Sequence, residues 1–430
     1  MIDINLVRTN PKVIKDTLER RNQHDKIKWL NDLIELDKDY REDLKKVEEL
    51  RRERNVISIK INELKKQNKD SSKEIKRAKD LPQDIFKLEQ ENNTRKEKID
   101  NYLFNLPNIL HEKVPYGKTA EDNPIIRKNG KIPKIKYELL NHTELTEKLD
   151  IADFEQGREV SGQGFNYLKK ELAQLDLALQ RYGVDFLLKK GFNLIIPPML
   201  LRKESLSGAI DLAQFEDTIY KIQDHDLYLI GTAEHALVNL FKNKTLNKSN
   251  LPIKVCAVTP CFRREIGAHG VDTKGLFRMH QFNKVEQVVF TNKENSYKIL
   301  EEMQKITEEF FKSLKIPFRV IEICSGDIGN KLAKQYDIEA YFPRQKAYKE
   351  VTSAGNCADY QARRLNIKYK DGDKKDYCHI INNTMVATSR AMVAILENYQ
   401  QKNFDIKIPQ VLQKYTGFKV IKCQDMKMKK

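Results

Sequence analysis

The stretch CFRREIGAHGVDTKGLFRMHQF, Cys261 to Phe282, gathers three arginines, a glutamate, two histidines and several aromatic rings within a chain otherwise rich in Lys and Leu. Arg263 and Glu265 stand two apart on a run that reads as strand, so their side chains are expected on one face. A guanidinium there suits a phosphate, which it can grip through two parallel N–H groups. The glutamate can accept from an exocyclic amine while Phe282, on the returning strand, stacks on a base. Between them EIGAHGVDTKG is Gly-rich and polar, a loop able to fold over a ligand. An ion-pair ladder across a surface hairpin would use the same residues. Glu286, four after Phe282, sits among Val285, Val288 and Val289, and an acid in such company needs a buried cation. In KEVTSAGNCADYQARR, Glu350 and Ser353 at a predicted strand end would serve Mg2+ and phosphate, or would simply cap the strand. Arg390 opens a predicted helix in TSRAMVAILENYQ, behind the candidate caps Thr388 and Ser389. A cation there opposes the helix dipole, which favours an anionic ligand as its reason. Neither GxGxxG nor GxxxxGK[ST] follows any strand run, so the usual Gly-rich nucleotide loops are absent.

Residues so arranged need a sheet to carry them. LYLI, IKVCAVTPCFRR, FNKVEQVVF, FRVIEICSG, IEAYFP, AYKEVTSAG and YCHIINN are short β-rich runs, most following one another without a crossover helix. They predict an antiparallel sheet. Flanking helices are expected over 165–191, over 294–314 and in the segment bearing Arg390.

The first hundred residues differ sharply. Asn10-Pro11 reads as an N-cap with proline at the first helical position, opening a short helix through Arg21. From Leu33 a heptad register puts Leu33, Leu36, Tyr40, Val47, Leu50, Ile57, Ile61 and Leu64 on one seam, broken by Asp43 and Arg54. QNKDSSKEIKRAKD reads as a polar turn region. A second register comes next with Leu81, Ile85, Leu88, Ile99, Tyr102 and Leu106, with Asn92 and Arg95 as polar exceptions. The two predict an antiparallel coiled-coil hairpin over about 30–106, its first arm about 45 to 50 Å long. Such a hairpin serves dimerisation or spacing, or it is a basic finger laid along a large ligand. The Pro-punctuated LPNILHEKVPYGKTAEDNP (106–124) marks the boundary. The expected organisation is α+β: a helical domain over 1–112 and a sheet-based domain over 113–430.

With 430 residues, 40% hydrophobic and 33% charged, the chain reads as a well-charged globular protein of two to three domains. No run approaches the ~18–20 apolar residues of a membrane span. The N-terminus lacks the apolar core of a secretory signal, so a cytoplasmic protein is expected. The six cysteines form no CxxC and no metal-ligand spacing, consistent with reduced, mostly buried thiols. A net charge of +16 favours a polyanionic partner, although Lys-rich surfaces also arise where composition alone accumulates lysine.

Several motifs, in order and correctly spaced, closely resemble class II aminoacyl-tRNA synthetases, and among these the seryl-tRNA synthetase family, over nearly the whole chain. GFNLIIPPML (191–200) resembles the first class II motif, which implies that Pro198 lies at a dimer interface. PCFRREIG (260–267) with KGLFRMHQFNKVEQ (274–287) resembles the second, and NNTMVATSRAMVAILENYQ (382–400) the third. GTAEHAL (231–237) resembles the family's serine-site Thr-Ala-Glu, and the hairpin resembles its tRNA-binding arm. The resemblance implies an ATP site of Arg263 on the α-phosphate, Arg264 beside it, Glu265 on adenine, Met279 lining the adenine pocket and Phe282 stacked on the ring. Glu350, Val351, Thr352 and Ser353 would complete it, with Glu350 and Ser353 holding Mg2+ and Arg390 on the γ-phosphate. Arg263, Glu350 and Arg390 are thereby the implied catalytic residues. For L-serine it implies Thr232, Ala233, Glu234 and Arg263, Glu286 on the α-ammonium, and Thr384, backed by Asn382, on the hydroxyl. It further implies a homodimer, tRNA(Ser) as acceptor, tRNA(Sec) as a potential second one, and no zinc. The chain departs from the usual pattern with Asn-Asn-Thr at 382–384 where many relatives have Asn-Gly-Ser, and with Arg264 where serine is common. Two other readings stay open: an activating enzyme that charges a carrier protein, and a non-catalytic nucleic-acid binder. The long arm argues against the first, and the intact Arg263, Glu350 and Arg390 against the second.

Overall fold

A computed structural model describes residues 1–212, 216–265 and 275–423; the Gly-rich stretch 266–274, expected as a ligand-covering loop, lies outside them. The chain divides into two compact units, Met1–Ile109 and Leu110–Lys430, and the division falls within the Pro-punctuated segment.

In the first unit, α1 (Ile4–Thr9) and α2 (Pro11–Arg20) precede a hairpin of α3 (Lys26–Lys66) and α4 (Ser72–Asn105). Asn10 does precede the proline of α2, but its side chain makes no capping bond. Because α3 begins at Lys26, the arm is about 60 Å long, more than the seam alone suggests. The turn is also tighter than expected. Most of QNKDSSKEIKRAKD is helical, since the Asp70 carboxylate accepts from the Ser72 N–H at 2.9 Å and starts α4 there. Leu33 and Val47 on α3, and Leu81, Ile85 and Ile99 on α4, are buried along the seam. Its polar interruptions answer one another: Asp43 pairs with Arg95 across the hairpin and with Lys46 at 3.0 Å, and Asn92 Nδ2 donates to the Tyr40 carbonyl at 3.4 Å. Arg54 is exposed and leaves the seam, while its neighbour Glu53 pairs with Arg77 at 2.8 Å. Removing one partner of a buried pair strands the other's charge. Arg95→Ala is therefore expected to destabilise the hairpin by about 2–3 kcal/mol, read as a lower urea midpoint by circular dichroism. An unchanged midpoint would mean that Lys46 alone suffices for Asp43.

The second unit is built on an eight-stranded sheet. Its strands are β1 (Ile125–Asn129), β2 (Asn193–Leu194), β3 (Ile253–Phe262), β4 (Gln281–Thr291), β5 (Phe318–Glu322), β6 (Lys334–Phe342), β7 (Ala347–Asn356) and β8 (His379–Ala387). They lie in the order β1-β5-β6-β7-β8-β4-β3-β2, antiparallel throughout except that β2 runs parallel to β3 at the edge. Helices α5 (Lys170–Lys189), α7 (Ser296–Ser313) and α8 (Thr388–Tyr399) pack on the sheet, and a short α6 (Ala233–Leu237) contacts β3 and β4. The helix of 165–191 starts later than expected because Tyr167–Leu168 pairs instead with Ala152–Asp153.

Period-two alternation decides what each strand offers. On β4, Val285 and Val289 enter the core shared with α5, α7 and α8, and Gln287 donates to Thr307 of α7 at 3.0 Å. Lys284 and Glu286 alternate with them and face the other way, whereas Phe282 packs at the border of that core. Two bulges adjust this pattern. On β7 the register skips Val351, so Glu350 stands opposite Glu339 and Ser353 opposite Asp337. On β8 it skips Met385, so Thr384 stands opposite Glu286 but Val386 opposite Val285. A bulge inserts one residue and re-aims the side chains beyond it. Residues three apart, Glu350 and Ser353, thereby share a face.

Candidate active site

β3 ends at Phe262, so Arg263 and Glu265 lie beyond the strand and not on one of its faces, contrary to the alternation reading. The chain leaves the ladder there because the Arg264 N–H donates to the Thr218 carbonyl at 2.8 Å instead of to β4. The Arg263 guanidinium lies 5.4 Å from the Phe282 ring centroid, and its Nε donates to the Gly231 carbonyl at 3.1 Å. The terminal nitrogens of Arg263 are thus presented by a side chain held at its stem. Glu265 pairs with Arg278. Arg264 is exposed and borders an open cavity of about 340 Å³ with Tyr220, Lys221 and Tyr228. Phe282 and Met279 border another of about 140 Å³, together with Phe165, Asn283, Thr388 and Asp176. Asp176 carried no sequence signal. Burial pushes its carboxyl up, although Gln180 and Asn283 donate to it at 2.7 and 2.8 Å.

Glu350 and Ser353 sit inside a strand rather than at its end. Of the EVTS run only these two present side chains to the site face; Val351 enters the helix-side core and Thr352 stands opposite its Ile338. Asp337, across from Ser353, is the acid that the sequence did not disclose. Burial first, and then the charge of Glu350, push its carboxyl up to about 8. Arg390 lies in the first turn of α8 as expected, but Thr388 is the first residue of that helix and not its cap: its hydroxyl donates to the Asn283 carbonyl at 3.0 Å. Arg390 Nη1 donates to the Glu350 carbonyl at 3.0 Å and lies 3.2 Å from its carboxylate, with the guanidinium over Phe277.

Two buried clusters of polar groups flank Thr232, which follows the Gly231 whose carbonyl holds Arg263. In the first, Glu286 carries Lys284 at 2.7 Å and accepts from the hydroxyls of Thr232 and Thr384, each at 3.2 Å. The buried cation that Glu286 needs is Lys284, two residues earlier on the same strand face; alternation alone could have found it. In the second, Glu234 pairs with Lys331 and accepts from Gln361 at 2.9 Å and Asn382 at 3.1 Å. Ala233 is buried in the apolar cluster beneath α6 and turns its methyl away from these groups. His235 accepts from the Gly231 N–H at 3.3 Å, and burial pushes its imidazole down to about 3, so it is neutral. Pro198, on the segment between β2 and Leu200, lies apart from the pocket and is exposed.

A buried cluster with two carboxylates, each paired with a lysine, suits a small zwitterion that carries a hydroxyl, and Arg263 and Arg390 suit a triphosphate. A family model described as tRNA synthetase class II core domain (G, H, P, S and T) matches residues 216–399, and one described as Seryl-tRNA synthetase N-terminal domain matches residues 1–110. A serine–tRNA ligase of Thermococcus sibiricus is 45% identical, with 100% of this chain and 99% of that one covered. Among solved structures, the seryl-tRNA synthetase of Pyrococcus horikoshii complexed with ATP superposes with a TM-score of 0.95 at 43% identity, covering 98% of this chain and 99% of that one. The cytoplasmic serine–tRNA ligase of Naegleria fowleri in complex with AMP does so with 0.91 at 33%, covering 99% of each. The chain belongs to the seryl-tRNA synthetase family, and serine–tRNA ligation is its activity.

Proposed function

We propose that the pocket condenses L-serine with ATP through the residues it brings together. The serine ammonium joins Lys284 and the two threonine hydroxyls around Glu286, and its side-chain hydroxyl is met by Glu234 and Thr384, with Asn382 behind. Adenine stacks on Phe282 near Met279, with Glu265 released from Arg278 to accept its amine. Arg263 holds the α-phosphate and Arg390, released from Glu350, the γ-phosphate. A serine carboxylate oxygen attacks the α-phosphorus in line, and the bond to the bridging oxygen breaks as pyrophosphate leaves. Such a step gains from positioning and from fixed positive charge, not from a nucleophilic side chain. A 2′- or 3′-hydroxyl of the terminal adenosine of tRNA(Ser) then attacks the seryl carbonyl, and AMP leaves.

The donor set fits a Mg2+ ion brought with ATP: Glu350 and Ser353 share a face, and Asp337 beside them carries a carboxyl whose raised pKa a nearby cation would lower. Magnesium takes one or two protein carboxylates and completes its shell with phosphate oxygens and water, and it would neutralise charge on the phosphates. Zinc has no part in this reading, because the cysteines stand at no metal-ligand spacing and the Thr232-Ala233-Glu234 run supplies the amino-acid site. The exposed apolar run of Leu194, Ile196, Met199 and Leu200 around Pro198, with Ile196 89% exposed, supports a homodimer formed at that edge of the sheet. No described helix is long and apolar enough to cross a membrane, and a cytoplasmic site of action is part of the proposal.

The observation that carries the reading is the buried Glu286 with its hydroxyl partners. Glu286→Gln removes the charge opposite the ammonium while keeping shape. It is expected to raise the KM for serine by about a hundredfold, the cost of losing one charge-assisted contact, with the KM for ATP little changed. An unchanged serine KM would remove Glu286 from the amino-acid site.

A further inference from the structure

Lys331 belongs to the segment between β5 and β6, which no motif singled out. Its ammonium pairs with Glu234, with the Lys331 side chain 22% exposed and that of Glu234 8%. Lys331 Nζ, Gln361 Nε2 and Asn382 Nδ2 all donate to one oxygen of Glu234, Oε1. Oε2 is the oxygen these donors leave for a ligand. Burial pushes the Glu234 carboxyl towards its neutral form, but the charge and hydrogen bond of Lys331, with the smaller contribution of the Gln361 amide, outweigh it and leave the pKa below the usual value. Lys284 Nζ pairs with Glu286 at 2.7 Å. The pocket's two carboxylates are thus balanced before a zwitterion arrives.

We propose that Lys331 is a positioning residue for amino-acid selection: it pins the Glu234 carboxylate through Oε1, so that Oε2 can only accept a hydroxyl proton. This rests on the reading of Glu234 as the group that meets the serine side chain. A carboxylate has no donor, whereas a protonated carboxyl has one. With Lys331 in place, alanine or glycine leaves a buried charged oxygen unpaired, the situation that lets a hydrogen-bonding site reject an analogue lacking the hydroxyl. Without it, burial favours the protonated acid, which can turn its O–H to a neighbour and tolerate a methyl group. The hydroxyls of Thr384 and Thr232 donate to Glu286 and not to Lys331 or Glu234, so binding of the ammonium should survive the change while selection does not.

The test is serine- and alanine-dependent ATP–pyrophosphate exchange by the full chain carrying Lys331→Met, with Lys331→Gln as the second variant should the first not fold. The expected result is a serine KM raised about tenfold, kcat and the KM for ATP within about threefold, and a serine-over-alanine ratio of kcat/KM lowered at least about tenfold. Lys331→Arg, which keeps the charge, should restore much of that ratio. An unchanged ratio overturns the proposal. So does a parallel loss of serine and ATP parameters together with melting temperature, the mark of a merely structural lysine. Glu234→Gln separates the two readings. If it too leaves the ratio intact, the assignment of Glu234 fails and the proposal with it. If it collapses the ratio while Lys331→Met preserves it, only the role of Lys331 is overturned.

Discussion

Arg263→Ala is expected to lower serine-dependent ATP–pyrophosphate exchange by about 10³-fold in kcat while the KM for serine changes only a few fold. The magnitude is that of removing a prepositioned cation from charge developing at phosphorus. Three contacts make the expectation specific to this side chain. Its Nε is committed to the Gly231 carbonyl at 3.1 Å, its plane lies over Phe282, and its backbone N–H donates to the His280 carbonyl at 2.9 Å. The guanidinium therefore arrives oriented and loses little freedom when a phosphate binds. Lysine could supply the charge but neither the stacked plane nor the second N–H, so Arg263→Lys should recover less than a tenth of the loss. Steady-state exchange with both variants measures this, and a kcat within tenfold of the parent for Arg263→Ala would place the phosphate elsewhere.

The second large effect concerns the arm. Six cations on its flanks are candidates for tRNA contacts: Lys45, Lys46, Arg51, Arg52, Lys65 and Lys66. Two of them have intramolecular work, since Lys46 pairs with Asp43 at 3.0 Å and Arg51 with Glu89 at 2.6 Å. Among the described residues Lys45, Arg52, Lys65 and Lys66 have no such acid, and all four are exposed on α3. Replacing these four with glutamine should weaken tRNA(Ser) binding by about 10²–10³-fold near physiological salt and reduce the slope of log K against log salt by about 3, as each lost phosphate contact releases less counterion. Pyrophosphate exchange without tRNA should not change, because the adenylation residues all lie in the second unit. Filter binding across a salt series measures the slope. An unchanged slope would mean that the arm does not track the phosphate backbone.

The seam of the arm was legible because a heptad declares itself in one strand of sequence. Its interruptions were legible as residues but not as partners: each register is visible alone, whereas the offset that sets Asp43 against Arg95 is a property of the folded pair. The early start of α4 was obscured by a charged run that resembles a turn, although Asp70 before Ser71 and Ser72 is a capping signal in hindsight. In the second unit six of the eight strands, the helix bearing Arg390 and most implied site residues were readable; the edge strands β1 and β2 were not, and the LYLI run pairs outside the main sheet. The bulge at Val351 was not readable either. It depends on how β7 meets β6, and it alone makes a spacing of three place Glu350 and Ser353 together. Lys284 was available from alternation with Glu286. Lys331, Gln361 and Asp337 were not, since they reach the site from segments distant in the chain and only packing brings them there.

Adenylation of serine is measured by ATP–pyrophosphate exchange without tRNA, run across the full set of proteinogenic amino acids. Exchange with serine alone is expected. Exchange with a different amino acid, or silence with all of them in folded protein, would mean that these residues do not form a serine-activating site.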